Sequence, residues 1–192
     1  MSVFDEVTFA LQLLKDIKVI TQADQAEAIR KNSPYSQQIN SHIRSGKELN
    51  LYIRLGLKES DITRKCLVID IDPYYCAPTG ETNAERMAMG KPPFDGATGS
   101  VIDLHHIGQR YDAPYAELPH SIHDAPGINS SLHSSRAPSW RNNPKLACEH
   151  NKEVAKYWKQ RVETLCLTCL TSNTTTNSMT CTRPCSNSVS SF

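Results

Sequence analysis

The sequence predicts an α+β protein: a helical N-terminal segment, a small unit built on an antiparallel strand pair, and a long C-terminal helix. Three observations carry this. Apolar residues recur every three or four positions through much of residues 1–64. Two short β-branched runs, CLVIDID and VIDLHH, then bring in strands, and helical spacing returns from Lys145 to Leu165.

Val3, Val7, Ala10, Leu11, Leu14 and Ile17 give the spacing of an amphipathic first helix. A second is expected after Thr21, whose side chain can cap it and which places Asp24 in the favourable first turn; Ser33-Pro34 ends it. Two shorter helices are expected around Gln37 to Arg44 and Glu48 to Leu55, with Gly46 and Gly56 as their C-terminal caps, so residues 1–64 read as all helical. Cys66 to Asp72 reads as a buried strand stopped by Pro73. Thr82 caps a short helix over Asn83 to Met89, which Gly90 and Pro92-Pro93 terminate. Val101 to His106 is the next strand and Pro114 to Leu118 its antiparallel partner. His120 to Asn143 is polar and aperiodic, a length of loop that usually serves function. The domain of residues 65–165 closes with the helix from Lys145 to Leu165. Residues 166–192, rich in Ser, Thr and Asn, read as a disordered tail. Its C-x2-C-x11-C-x3-C spacing, from Cys166 to Cys185, resembles a zinc knuckle only loosely.

Composition excludes several classes of function. A chain of 192 residues, 39% hydrophobic, with a formal charge of +1 has an ordinary soluble balance and no global attraction for polyanions. Charge is local instead: from Arg136 to Arg161 there are seven basic residues against Glu149 and Glu153, so a polyanion is expected to meet the C-terminal part of the fold. No apolar run reaches the ~18 residues of a membrane span. Asp5, Glu6, Lys15, Asp16 and Lys18 are wrong for a secretory leader, and synthesis in the cytoplasm is expected. Seven cysteines, unevenly spread, are poor evidence for a disulfide framework.

Chemistry concentrates in histidine. His105, His106, His120, His123 and His133 place five of the seven histidines in 29 residues. Neutral imidazole ligates metals, and its ordinary pKa suits proton transfer near neutrality. Adjacent strand residues point to opposite faces, so His105 and His106 are expected to share a site only where the strand loses regularity, which Gly108 permits. His42 and His150 read as solvated helix residues, His120 as a loop residue, and Trp140 and Trp158 as packing residues. Asn83, Glu85 and Arg86 are either part of a site or a helix start that braces the hairpin. Arg136, Arg141 and Arg161 can hold flanking phosphates.

The order of features, a strand-end His pair, a hairpin return and further His, is that of a ββα-metal nuclease. The run GETNAERMAMGKPPFDGATGSVIDLHHIGQ, then YAEL, His123, Leu132-His133 and the closing YWKQR, resembles the LHH nucleases of the HNH/endonuclease VII superfamily, toxin modules of bacterial polymorphic toxin systems. SGKELNLYIRLGL, from Ser45 to Leu57, is similar to what precedes such domains. The resemblance implies a ββα-metal (His-Me finger) fold and hydrolysis of DNA with one divalent cation (Zn, Ni, Mn or Mg). It also implies a cognate immunity protein, and export to target cells by a specialised secretion system. Carried over by position, it makes His105 a metal ligand and His106 the general base, with His123 and His133 both offered as further ligands. Gln109 would orient water or phosphate, and Glu117 would act as a ligand or fix a histidine. Ile122, where the family is often acidic, and the cysteine-rich tail depart from the pattern. A non-catalytic zinc-stabilised nucleic-acid or protein-binding module, or an RNase with the same site, stand as alternatives.

Overall fold

In the computed structural model, residues 22–133 and 139–172 are described. The helix expected over Val3 to Ile17, the Thr21 cap, Arg136 and residues 173–192 lie outside them, as does the four-cysteine pattern, which needs Cys181 and Cys185.

The N-terminal part holds helices α1 (Gln22–Asn32), α2 (Gln37–Asn40) and α3 (Gly46–Arg54). Helix α2 is a single turn, started by the Ser36 side chain, which accepts from the Ile39 N–H. Gly46 does not end that helix; it opens α3, whose cap is Ser45, accepting from the Glu48 N–H. Gly56, at φ 65, does end α3 as expected. Residues 1–64 are not all helical, because Lys58–Asp61 forms strand β1. The sequence KESD has no apolar alternation, and its strand character comes from pairing with β2 (Lys65–Val68). Strand β2 stops four residues short of Asp72, where the Ile69 N–H leaves the ladder and donates to Glu117 Oε2 at 2.9 Å.

Helix α4 (Asn83–Ala88) begins with a capping box in which Thr82 and Glu85 satisfy each other's backbone N–H groups. Inside it, the buried Asn83 amide donates to the Asp72 and Phe94 carbonyls and accepts from the Phe94 N–H. Arg86 donates to the Pro92 carbonyl and stacks on Phe94. These three residues brace the approach to the hairpin. The hairpin pairs β3 (Ile102–His106) with β4 (Tyr115–Pro119), antiparallel as expected, with His105 opposite Ala116 and His106 opposite Tyr115. The sheet order is β1-β2-β4-β3, with β2 and β4 parallel, and β3 lies at an edge.

The two sheet faces serve different layers. Leu67, Ala116 and Leu118 pack with Ile39, Ile43, Leu49 and Tyr52 from the N-terminal helices, and Leu132 joins them. Cys66, Ile102, Leu104 and Tyr115 pack with Met87 and with Tyr157 and Trp158 of the last helix. Between β4 and that helix lie the short turns α5 (His120–His123) and α6 (Asn129–Leu132) and a 3₁₀ turn, Trp140–Asn142. The last helix, α7 (Pro144–Ser172), runs seven residues past Leu165, so the first residues of the expected tail are helical.

Candidate metal and catalytic centre

His105 and His106 both lie within β3, and the strand stays regular through them. They therefore point to opposite faces, contrary to the expectation that irregularity brings them together. Irregularity begins afterwards, in the 3₁₀ turn Ile107–Gln109, with Gly108 at φ 70 and Gln109 at φ 62. The pair shares a site for another reason. Strand β3 is an edge, and one cavity of about 660 Å³ wraps it, lined by both histidines.

On the face toward the N-terminal helices, His105 meets His123 and His133. The ligand-type nitrogens of these three side chains lie within 4.8 Å of one another. His123 Nε2 is 3.3 Å from His105 Nδ1, and the ring centroids are 5.0 to 5.2 Å apart. Two of the rings are oriented from behind. His123 Nδ1–H donates to Asp103 Oδ2 at 2.9 Å, and His133 Nδ1–H donates to the Asn129 carbonyl at 3.1 Å, which leaves Nε2 of each to face the cluster. Burial, reinforced by the neighbouring His123 and His133, holds the His105 pKa well below its ordinary value, and burial likewise lowers that of His133. The lowered pKa values keep the His105 and His133 rings neutral with lone pairs to offer, and the three-nitrogen donor set fits a divalent transition ion and leaves positions open for water or substrate.

Asp103 was not among the expected site residues, although a strand period of two puts it on the same face as His105. Its Oδ2 accepts from both His123 and His120, the latter at 2.8 Å. Burial pushes the Asp103 pKa up, but these hydrogen bonds outweigh it and hold the carboxyl below its ordinary range. His120 touches the site through Asp103 and is not one of the three converging rings.

On the opposite face His106 is boxed by rings: Tyr115 and Trp140 at 4.8 and 4.9 Å, both edge-on, and His150 at 4.9 Å. Burial is the main cause that pushes the His106 pKa down to about 3, with His150, Arg64 and Arg141 adding to it. The ring is neutral at pH 7, and among the described residues its Nε2 has no hydrogen-bond partner. His150, read from sequence as solvated, is 3% exposed and lines the same cavity. Its signal was present: on α7 it shares a face with Val154, Tyr157, Trp158 and Arg161. Burial, then Arg141 and Arg64, bring its pKa down to about 4. Arg141 lies against Trp140 and within 3.4 Å of His150 Nε2, at the cavity wall.

The remaining expected residues divide. Gln109 lines the cavity and accepts from Arg44 at 3.1 Å. Glu117 does not join the histidines. Its fully buried carboxylate takes Tyr157 Oη at 2.7 Å, Arg161 Nε at 2.9 Å and the Ile69 N–H, and it fastens α7 to the sheet. Arg161 is committed to that pair and to the Ile69 carbonyl, which removes it from the phosphate-holding residues.

Residues 82–164 match the family model LHH, described as a nuclease of the HNH/ENDO VII superfamily with conserved LHH, and in this chain Leu104-His105-His106 supplies those letters. No solved structure matches the chain. Among the described residues no helix is long and apolar enough to cross a membrane.

Proposed function

We propose, for a chain that belongs through residues 82–164 to the LHH nucleases of the HNH/ENDO VII superfamily and so hydrolyses phosphodiester bonds, that the substrate is DNA and that cleavage depends on one divalent cation. The observation that carries this reading is the convergence of His105, His123 and His133 beside a neutral His106 on one cavity. A cation held by the three imidazoles supplies charge stabilisation at the phosphoryl and leaving oxygens. Nitrogen donors favour Zn²⁺, Ni²⁺ or Mn²⁺ over Mg²⁺, which prefers oxygen.

His106 takes the proton of the attacking water. Its unprotonated ring is held by Tyr115, Trp140 and His150; burial keeps its proton affinity low in the empty cavity, and the negative charge of a bound phosphate would raise it toward the range in which a general base contributes about 10² to 10⁴ in rate. Gln109 orients water or a phosphate oxygen at the cavity, and Arg141 offers its planar fork to a flanking phosphate. Contacts of this kind position the backbone without reading sequence, which suits a non-specific endonuclease. Three converging ligands argue against a purely structural zinc, which four protein ligands would close.

The toxin role rests on the resemblance of TNAERM, LHHIGQ and YWKQR to polymorphic-toxin nucleases, as do a cognate immunity protein and delivery by specialised secretion. A protein that covers this cavity has to meet Arg141 and is expected to be acidic there. The deciding experiment incubates the full chain with plasmid DNA and with RNA, with and without EDTA. Nicking of DNA that EDTA abolishes is expected; RNA cleavage alone would assign the other substrate. His106→Ala should lose nicking while binding metal normally. His105→Ala should bind metal weakly and recover partly in excess metal. Full cleavage by His106→Ala would remove that residue from the mechanism.

A further inference from the structure

The family match begins at Thr82, yet part of what holds the histidines comes from earlier in the chain. The segment 41–45 passes the turn after the His pair so closely that a Cβ on Gly108 would sit 2.5 Å from the His42 carbonyl oxygen. Only glycine allows that approach, and its φ of 70 asks for glycine as well. The contact is anchored by Glu48, fully buried on α3. Its carboxylate accepts from the Arg44 backbone N–H at 2.9 Å and from Tyr52 Oη at 2.8 Å, and the Gly108 backbone also hydrogen-bonds to it.

From that fixed backbone the Arg44 guanidinium reaches in two directions. Nη1 donates to Gln109 Oε1 at 3.1 Å, and Nη2 donates to the Leu132 carbonyl oxygen. Leu132 ends the single-turn helix α6, where carbonyls lack helical partners, and the next residue is His133. One planar fork thus ties together the turn that follows His106 and the backbone that carries His133.

We infer that Arg44 is a positioning residue of this nuclease, holding His133 and Gln109 in register, so that residues 41–57 form part of the catalytic unit although they precede the matched domain. The inference rests on reading His105, His123 and His133 as metal ligands. A ligand displaced by a fraction of an ångström binds its ion more weakly, and changes of supporting residues commonly cost about 10- to 100-fold in affinity.

Arg44 also carries a positive charge that repels a cation. The two effects have opposite signs in a variant, which makes them separable. Arg44→Lys keeps the charge and loses the fork. Arg44→Ala loses both, and loss of the charge alone would tighten cation binding about twofold at solvent dielectric. The probe is Mn²⁺ titrated by calorimetry into the full, metal-stripped chain, an ion less drawn than Zn²⁺ to the cysteines.

Arg44→Lys is expected to raise the Mn²⁺ Kd about 10-fold, and Arg44→Ala at least several-fold, with kcat on plasmid DNA falling and KM nearly unchanged. If Arg44→Ala does not fold, Arg44→Lys decides alone. Wild-type Mn²⁺ affinity in Arg44→Lys, with or without a rise in KM for DNA, overturns the inference; a raised KM would make Arg44 a phosphate contact instead. Wild-type protein that binds no Mn²⁺ overturns the ligand reading and this inference with it.

Discussion

His105 and His106 are neighbours in the chain and belong to different surroundings. The pleat of β3 turns His105 toward the N-terminal helices, where His123 and His133 meet it, and turns His106 toward α7, where Trp140 and His150 enclose it. Asp103, two residues before His105, reaches the converging rings from behind. It holds the His123 proton on Nδ1, and that tautomer is the one that turns the Nε2 lone pair toward the cluster. Asp103→Asn should therefore weaken divalent-metal binding about 10-fold or more without moving His123 far, since the amide keeps the shape and can present the wrong hydrogen-bonding group. His120→Ala should leave affinity nearly unchanged, because it removes only the exposed donor that shares the same carboxylate oxygen. Calorimetric titration of both variants checks the pair; equal losses would make His120 a functional partner of the site.

At the scale of elements, helix α7 is what separates the face of His106 from solvent, and Glu117 is what holds α7 in place. A fully buried carboxylate that accepts from Arg161, Tyr157 and the Ile69 N–H is satisfied, but its removal strands the Arg161 guanidinium in the interior. Burial pushes the Glu117 pKa up against the pull of Arg161, and the hydrogen bonds hold the pair together. Breaking such a pair by removing one partner costs about 3–5 kcal/mol. Glu117→Ala should lower the urea midpoint accordingly, while metal affinity measured in the cold, where the protein stays folded, changes little. A loss of metal binding at full stability would return Glu117 to the ligand set. The elements themselves were unevenly legible. The Thr82 cap, the strand pair and the last helix follow from local rules that need only neighbouring residues. Strand β1 does not, since KESD becomes a strand only by pairing with β2. The site divides in the same way: the histidine cluster lies within 29 residues and shows in the sequence, whereas Arg44 and His150 reach it from separate layers through long-range packing. Glu117 illustrates the limit, because its YAEL context marks a residue that matters without saying whether it binds a metal or an arginine.

For the whole molecule, the histidines make stability depend on pH in a definite window. Burial lowers the pKa of His106 to about 3 and of His150 to about 4, and lowers those of His105 and His133 as well, against an ordinary 6.5. Below pH 6.5 the unfolded chain takes up protons at these positions that the folded chain refuses, so the unfolded state gains. Their contribution is full above pH 6.5 and is lost as pH falls toward the folded values, with a slope of about 1.4 kcal/mol per pH unit for each histidine kept neutral. Carboxylates held low, such as Asp103, Glu85 and Glu81, act only nearer their own ordinary values, so the decline between about pH 6.5 and 5 comes from the histidines, opposed by the buried Glu48 and Glu117, whose carboxyls burial pushes up so that they take up protons first in the fold. The exposed His120, raised by Asp103, opposes the trend. Urea unfolding of the metal-stripped chain at pH 7.5, 6.5, 5.8 and 5.0 should show little change over the first step and a steep decline thereafter. His150→Phe tests the assignment, because a phenyl ring can keep the contacts with His106 and Trp140 while binding no proton in either state. Its stability should fall less steeply by about 1 kcal/mol per pH unit over that interval. Parallel lines for the variant and its parent would mean that His150 is not held neutral in the fold, and the box around His106 would then need another explanation for its low proton affinity.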